Sequence, residues 1–181
     1  SEVAVLARSG APTRRGEATT VEAVLAAHRP IERIKAPGTL DGGDVIVIGT
    51  HLFIGISERT NQIGAQQLGT IAGTHGYTWN TVPVGAGLHL KSDANALDHR
   101  TLLTTPDLAT QGVFDGYDLL VVAEADAYAC NVLNVNGTVL LPSGFADVER
   151  LVCDRGFVVH RLEMSEARKM DGGLTCLSLR F

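Results

Sequence analysis

The sequence predicts an α/β protein assembled from a repeated strand–strand–helix–strand unit, and three observations carry that reading. Residues 44–49 lead through a turn into 52–55, and residues 131–137 lead into 139–142. Both are pairs of short β-rich runs around a Gly-containing turn, the pattern of a hairpin. Each pair precedes a stretch with apolar residues at helical spacing, Leu68, Ile71 and Ala72 in one, Val148, Leu151 and Val152 in the other. Each of those stretches runs on into a further β-branched segment, residues 81–84 and 157–159.

Two more copies are weaker. One starts at Asp93, turns at Asp98-His99, continues through Thr101, Leu102 and Leu103, and ends in residues 119–122. Thr105-Pro106-Asp107 supplies a helix-start signal between them. The other opens with a strand over residues 3–7 and a capping box from Thr19 to Glu22. Val21, Val24 and Leu25 then begin an amphipathic helix that Pro30 closes, and residues 31–36 form the next strand. Copies therefore start near Val3, Asp44, Asp93 and Asn131, a period of about 43 residues. The interleaved helices argue against an all-β propeller. They leave a ring of ββαβ units, helices outside and loops converging on an axis, or an ordinary mixed α/β sheet with look-alike hairpins.

Composition bounds the function. The chain has 181 residues, 45% of them hydrophobic and 19% charged, with a net charge of −5. That supports a single folded domain over residues 1–181 and excludes a disordered chain. The acidic balance gives no electrostatic case for nucleic acid or an anionic membrane surface. No apolar run approaches the ~20 residues of a membrane span, and nothing from Ser1 onward reads as a signal peptide. Three cysteines, an odd number, argue against a disulfide scaffold. A cytoplasmic location is expected.

Three segments place polar residues where packing does not demand them. Leu40-Asp41-Gly42-Gly43-Asp44 sets two carboxylates around a Gly-Gly turn at the mouth of a strand. An Asx-turn opening a hairpin is its ordinary structural reading, and a ligand-facing loop its functional one. His89, in Leu88-His89-Leu90-Lys91-Ser92, stands apart from the other histidines. His28 suits the last turn of a helix, His51 and His99 suit hairpin turns, His75 precedes a glycine, and His160 falls in a strand. Cys176 follows the turn Asp171-Gly172-Gly173 and is flanked by hydroxyl residues, whereas Cys130 and Cys153 read as small buried hydrophobes. A cysteine, a histidine and a carboxylate are the components of nucleophilic catalysis, though triads form in space and not in sequence. No Cys-x-x-Cys or His-x-x-x-His pair supports a zinc site. Arg14 and Arg59 sit on loops, where solvation is the ordinary state. Converging, they would form a bidentate clamp for the carboxylate of an amino-acid-like substrate.

Together these segments resemble the dimethylarginine dimethylaminohydrolases of the guanidino-group modifying superfamily. The matching stretches are GAPTRRGE (residues 10–17), LDGGDV (40–45), SERTNQIG (57–64), LHLKS (88–92), YACNVLNVN (128–136) and KMDGGLTCLSLRF (169–181). They keep the family's order and run through essentially the whole chain. The resemblance implies an α/β-propeller (pentein) of five ββαβ units around a substrate channel, of which this chain holds about four. It implies Cys176 as nucleophile, His89 as general acid and base, and Asp41 as its orienting carboxylate, where some members have Glu. Arg14 and Arg59 would hold the substrate's α-carboxylate end, and Met170 would contact it through backbone. No metal or organic cofactor is implied.

In the family, a carboxylate cluster upstream of GAPTRRGE grips the guanidinium nitrogens. Glu2 and Glu17 are nearby acids that do not match it, so a fragment lacking the first unit is expected. An open ring exposes strand edges, which makes pairing into a homo-oligomer a risk. The expected substrate is a small methylated arginine, hydrolysed to citrulline and an amine. Arginine deiminase chemistry on plain arginine, or a silent module that binds an arginine-like ligand, are the rival readings.

Overall fold

Alternation of a hairpin, a helix and a returning strand organises the described chain from Val45 onward. The computed structural model describes residues 3–85 and 87–179; Glu2 lies outside them. The chain divides into two compact units, one running to Leu90 and the other from Lys91 to Leu179.

In the first unit, β1 (Ala4–Leu6) pairs in parallel with β2 (Ile31–Arg33), and α1 (Glu17–Ala26) connects them. The helix starts before the expected Thr19–Glu22 box. Gly16 is its N-cap, and no side-chain cap bond forms there. The Thr20 hydroxyl instead bonds back to the Glu17 carbonyl, and Glu22 pairs with Arg33 of β2. The box fails because Thr19 already lies inside the helix, its N–H donating to the Gly16 carbonyl, and Glu22 is engaged by Arg33.

The second sheet of this unit has the order β3–β4–β5, with β3 at Val45–Ile48, β4 at His51–Ile56 and β5 at Thr78–Pro83. β3 and β4 are antiparallel, β4 and β5 parallel, and α2 (Gln62–Gly73) makes the crossover. As the central strand, β4 buries Leu52, Phe53 and Ile54 on both faces, which gives its continuous apolar run. The Asn61 side chain caps α2 by accepting from Gly64 N–H. Its apolar stripe, Ala65, Leu68 and Ala72, packs with Ile34, Leu40, Leu52 and Ile54. His51 is a strand residue and not a turn residue. Its Nδ1 is hydrogen-bonded with the Thr78 hydroxyl at 2.7 Å and its Nε2 with Asn80 Oδ1 at 2.5 Å, stitching β4 to β5.

The second unit repeats this pattern twice. β6 (Ala94–Ala96) and β7 (Thr101–Thr104) form a hairpin, α4 (Pro106–Thr110) follows the short α3 (Leu90–Asp93) in chain order, and β8 (Asp118–Val121) returns parallel to β7. β9 (Leu133–Val135) and β10 (Thr138–Pro142) form the next hairpin through Asn136-Gly137, both with positive φ, which matches the twist of the flanking strands. α5 (Ala146–Cys153) then leads to β11 (Val158–Leu162), parallel to β10. Leu97, Leu103, Leu120, Val139, Leu141, Val148 and Val152 share one core with Cys130. Cys130 is buried as expected. Cys153 is exposed, because it closes α5 on the face turned away from Val148 and Val152. No helix among the described residues is long and apolar enough to cross a membrane.

Candidate active site

Parallel strands β1, β4 and β5 all end at loops that carry the predicted polar residues of the first unit. Such carboxyl ends are where open α/β sheets place their ligands. The loop after β1 holds Gly10 and Arg14, the loop after β4 holds Ser57 to Thr60, and the segment after β5 reaches His89. Asp41 lies just before β3, at the start of a 3-10 turn over Gly42–Asp44.

The structure brings Asp41 and His89 together. His89 Nε2 lies 3.2 Å from Asp41 Oδ2, with the two side chains only 14% and 7% exposed. The imidazole stacks on Gly43 so closely that a Cβ there would fall 2.7 Å from His89 Cγ. Glycine is therefore required by the ring and not by the turn alone. Asp41 does not close an Asx-turn, since its carboxylate makes no cap bond. Its Oδ1 accepts from Gly10 N–H at 3.2 Å, and its own N–H donates to the Thr60 hydroxyl at 3.0 Å. Burial pushes the Asp41 pKa up, but hydrogen bonds from His89, Ser9 and Gly10, together with the His89 charge, outweigh it and hold the group below the ordinary value. Asp41 is thus an anion at neutral pH. As an acceptor it favours a proton on the His89 Nε2 that faces it.

Arg14 ends a 3-10 turn at Pro12–Arg14 and reaches within 3.9 Å of Asp41 Oδ2. Its guanidinium forks onto Glu17, with Nε 3.0 Å from Oε1 and Nη2 2.9 Å from Oε2. The hydrogen bond from Arg14 is the main reason that the Glu17 carboxyl is held below its usual range. Arg59 lies in a tight turn, its N–H donating to the Ser57 hydroxyl at 3.0 Å. Gly10 presses on the Arg59 backbone: a Cβ there would meet the Arg59 carbonyl oxygen at 2.3 Å. The loops bearing Arg14, Asp41, Arg59 and His89 are therefore in mutual contact.

Cys176 and Met170 belong to the second unit. Cys176 is exposed, in a 3-10 turn at Leu174–Leu177, and its N–H donates to the Gly173 carbonyl at 3.0 Å. Asn131 holds this turn, accepting from Thr175 N–H at 2.9 Å and donating to the Lys91 carbonyl at 3.2 Å. A Cβ at Gly173 would strike Asn131 at 2.4 Å. Met170 is 85% exposed just beyond α6 (Ser165–Arg168). The Arg168 guanidinium sits 4.7 Å from the Tyr128 ring centroid and 5.7 Å from that of Phe145, a cation–π stack that ties α6 to the body of its unit. The Tyr128 hydroxyl donates to the Gly172 carbonyl at 2.8 Å. Burial raises its pKa, with Arg168 opposing and Cys176 adding to the rise, so it remains a donor.

Several supporting residues escaped the sequence reading: Ser57, Thr60 and Asn131, together with the burial of Asp44. Short polar residues inside recognisable segments were their only signal, and their partners lie far away along the chain. Among the described residues, no group of three or more His, Cys, Asp or Glu side chains is arranged to hold a metal ion.

Known proteins share this sequence pattern and fold. A family model described as arginine deiminase matches residues 4–107. The N(G),N(G)-dimethylarginine dimethylaminohydrolase of Pseudomonas aeruginosa is 37% identical over 183 residues, covering 100% of this chain and 72% of that protein. The Streptomyces coelicolor protein of the same name is 35% identical over 180 residues, covering 98% and 69%. Among solved structures, a cysteine-to-serine mutant of the Pseudomonas aeruginosa enzyme complexed with citrulline superimposes with a TM-score of 0.97 at 36% identity, over 100% of this chain and 72% of that one. The N-terminal domain of ArgZ, a cyanobacterial arginine dihydrolase, shares the fold at a TM-score of 0.89 and 21% identity, over 99% and 70%.

The mixed α/β fold is that of a hydrolase that acts on C–N bonds in guanidino compounds. Within that class, the chain belongs to the dimethylarginine dimethylaminohydrolase family.

Proposed function

We propose that the protein hydrolyses N-methylated arginines to citrulline and dimethylamine or methylamine, with Cys176 as nucleophile, His89 as general acid and base, and Asp41 as the carboxylate that orients His89. The observation that carries this reading is the buried 3.2 Å contact between His89 Nε2 and Asp41. It supplies an imidazole with one nitrogen fixed and the other able to carry protons. The relatives' name supports the methylated substrate, and the citrulline bound to the Pseudomonas aeruginosa mutant supports the product.

The steps follow from the chemistry of a guanidinium, a planar, resonance-stabilised cation and hence a poor electrophile. The Cys176 thiolate adds to its central carbon. His89 gives a proton to the departing dimethylamine, the C–N bond breaks, and a covalent S-alkyl thiouronium remains on Cys176. His89, now neutral, takes a proton from water. The hydroxide adds to the same carbon, the C–S bond breaks to restore the thiolate, and citrulline leaves as the proton on its new oxygen passes to solvent. Water is consumed and one amine released, with no oxidant or reductant. Arg14 and Arg59 hold the α-carboxylate, where a planar fork pairs well with two oxygens. Met170 contacts the substrate through its backbone. The same reading takes residues 1–181 as one domain whose ββαβ units are blades of an α/β-propeller (pentein). The three complete ββαβ sheets support it.

The test is citrulline release by the full-length gene product from asymmetric dimethylarginine, monomethylarginine and arginine, with Cys176→Ser as control. Release of citrulline and dimethylamine, abolished in the variant, is the expected result. Turnover that survives Cys176→Ser overturns the mechanism. The family model described as arginine deiminase favours a second substrate, plain arginine. A preference for it, with ammonium as the coproduct, would replace the methylated substrates while leaving the residue roles intact.

A further inference from the structure

The second carboxylate of the LDGGD turn is as buried as any side chain in the protein. Asp44 is 0% exposed, and its oxygens accept three hydrogen bonds from two distant segments, the turn holding Ser57 and Thr60 and the backbone at Leu90. Oδ1 takes Leu90 N–H at 2.9 Å. Oδ2 takes the Thr60 hydroxyl at 2.6 Å and the Ser57 hydroxyl at 2.7 Å. A carboxyl group so buried is costly to desolvate and persists only where hydrogen-bond partners compensate it.

What those donors do next is the informative part. Leu90 directly follows His89, so the first bond fixes the backbone that carries the imidazole. The Thr60 hydroxyl, having given its proton to Asp44, accepts Asp41 N–H at 3.0 Å, so the second bond fixes the residue that orients the imidazole. The Ser57 hydroxyl, likewise committed to Asp44, accepts the N–H groups of Arg59 at 3.0 Å and Thr60 at 3.1 Å, so the third bond shapes the turn that presents Arg59. The space is closed as well. A Cβ on Gly55, in the middle of this arrangement, would lie 2.9 Å from Leu90 Cβ and 3.0 Å from Asp44 Oδ1.

We infer that Asp44 is a positioning residue for two functions at once, aligning the Asp41–His89 pair for proton transfer and holding the Arg59 turn for substrate anchoring. The inference rests on the function proposed above for its kinetic part and on the hydrogen bonds alone for its structural part. It assigns separable roles to the two hydroxyls: Thr60 serves the acid–base pair, and Ser57 serves the anchoring turn.

Asp44→Asn keeps the shape but turns an amide N–H2 toward hydroxyls that need an acceptor. Small displacements of catalytic groups cost on the order of 100-fold in rate. The variant should show a kcat lowered about that much with KM raised. Ser57→Ala should raise KM with kcat within about twofold, and Thr60→Val should lower kcat with KM nearly unchanged. Leu68→Ala, a core truncation in the same unit, should lose stability yet keep both constants within about twofold.

An independent arm uses no substrate. In 15N-labelled protein, the His89 ring nitrogens and the Leu90 amide should shift in Asp44→Asn and in Thr60→Val but not in Leu68→Ala. If the parent shows no guanidine hydrolysis, the function fails while the ring signals still decide the role of Asp44. If Asp44→Asn does not fold, the two hydroxyl variants carry the test. His89 ring signals unmoved in Thr60→Val and in any folded Asp44→Asn, or Ser57→Ala and Thr60→Val that behave like Leu68→Ala, would overturn the inference.

Discussion

At the scale of single residues, the Asp41–His89 contact determines most of what can be tested. Removing the charge while keeping the shape, Asp41→Asn should reduce kcat by at least about 100-fold, since positioned acid–base groups contribute roughly that much or more. The same group links stability to pH. Its folded pKa lies below the unfolded value of 3.8, so its contribution is fully present above about pH 4 and is lost as pH falls through the lower, folded pKa. Acid denaturation of Asp41→Asn should therefore be shallower than that of the parent over that interval, and urea midpoints measured from pH 5 down to pH 2 would show it. Thiol chemistry gives a second check. Cys130 is buried, with desolvation and the charges of Asp93 and Glu124 raising its pKa far above the usual thiol range, whereas Cys153 and Cys176 are exposed. Iodoacetamide should label two cysteines in the native protein and three in denaturant. Citrulline should protect Cys176 and leave Cys153 reactive; protection of neither would count against a ligand site at Cys176.

Single residues were also the least uniformly legible part of the sequence. His89 stood out because the other five histidines fitted ordinary turn, strand and helix-end positions, and Asp41 stood out only as one of two acids in a turn. Which of the two faces the histidine and which is buried as an anchor depends on donors at Ser57, Thr60 and Leu90, all more than ten positions away. Local pattern carries no record of such partners. Cys153 was misread for a related reason. Its helix is amphipathic, and a small residue at the end of α5 can fall on either side of the buried stripe.

Elements were more legible, because hairpin turns and helical periodicity are local. The β9–β10 turn at Asn136-Gly137 and the α2 stripe of Ala65, Leu68 and Ala72 follow from the sequence directly. Element ends were less so, as the start of α1 at Glu17 shows. The packing of α2 on β5 offers a sharp test. Gly69 lies under Trp79, where a Cβ would fall 2.1 Å from the indole Cε2. Gly69→Ala should therefore push the helix and the strand apart, destabilising the protein by about 1–3 kcal/mol despite alanine's better helix propensity. Because Trp79 is the only tryptophan, its emission reports the change directly. An unchanged spectrum with unchanged stability would mean that α2 does not bear on β5 this closely.

For the molecule as a whole, the repeat was the feature the sequence announced best. Copies expected near Val3, Asp44, Asp93 and Asn131 coincide with the starts of the four sheets among the described residues, at Ala4, Val45, Ala94 and Leu133. Each of the three full sheets repeats an antiparallel pair and a parallel return. That regularity is legible because every unit solves the same burial problem with the same local signals. The functional groups are not repeated. They lie on loops that differ from unit to unit, and their roles come from chemistry that periodicity does not encode. The central claim is that guanidine hydrolysis passes through a covalent adduct on Cys176, and rapid acid quenching followed by peptide mass spectrometry tests it most directly. During turnover of asymmetric dimethylarginine, the peptide containing Cys176 should gain the mass of the substrate less dimethylamine, and the adduct should disappear as substrate is exhausted. Turnover with no such adduct at any quench time, unaltered in Cys176→Ser, would contradict the account.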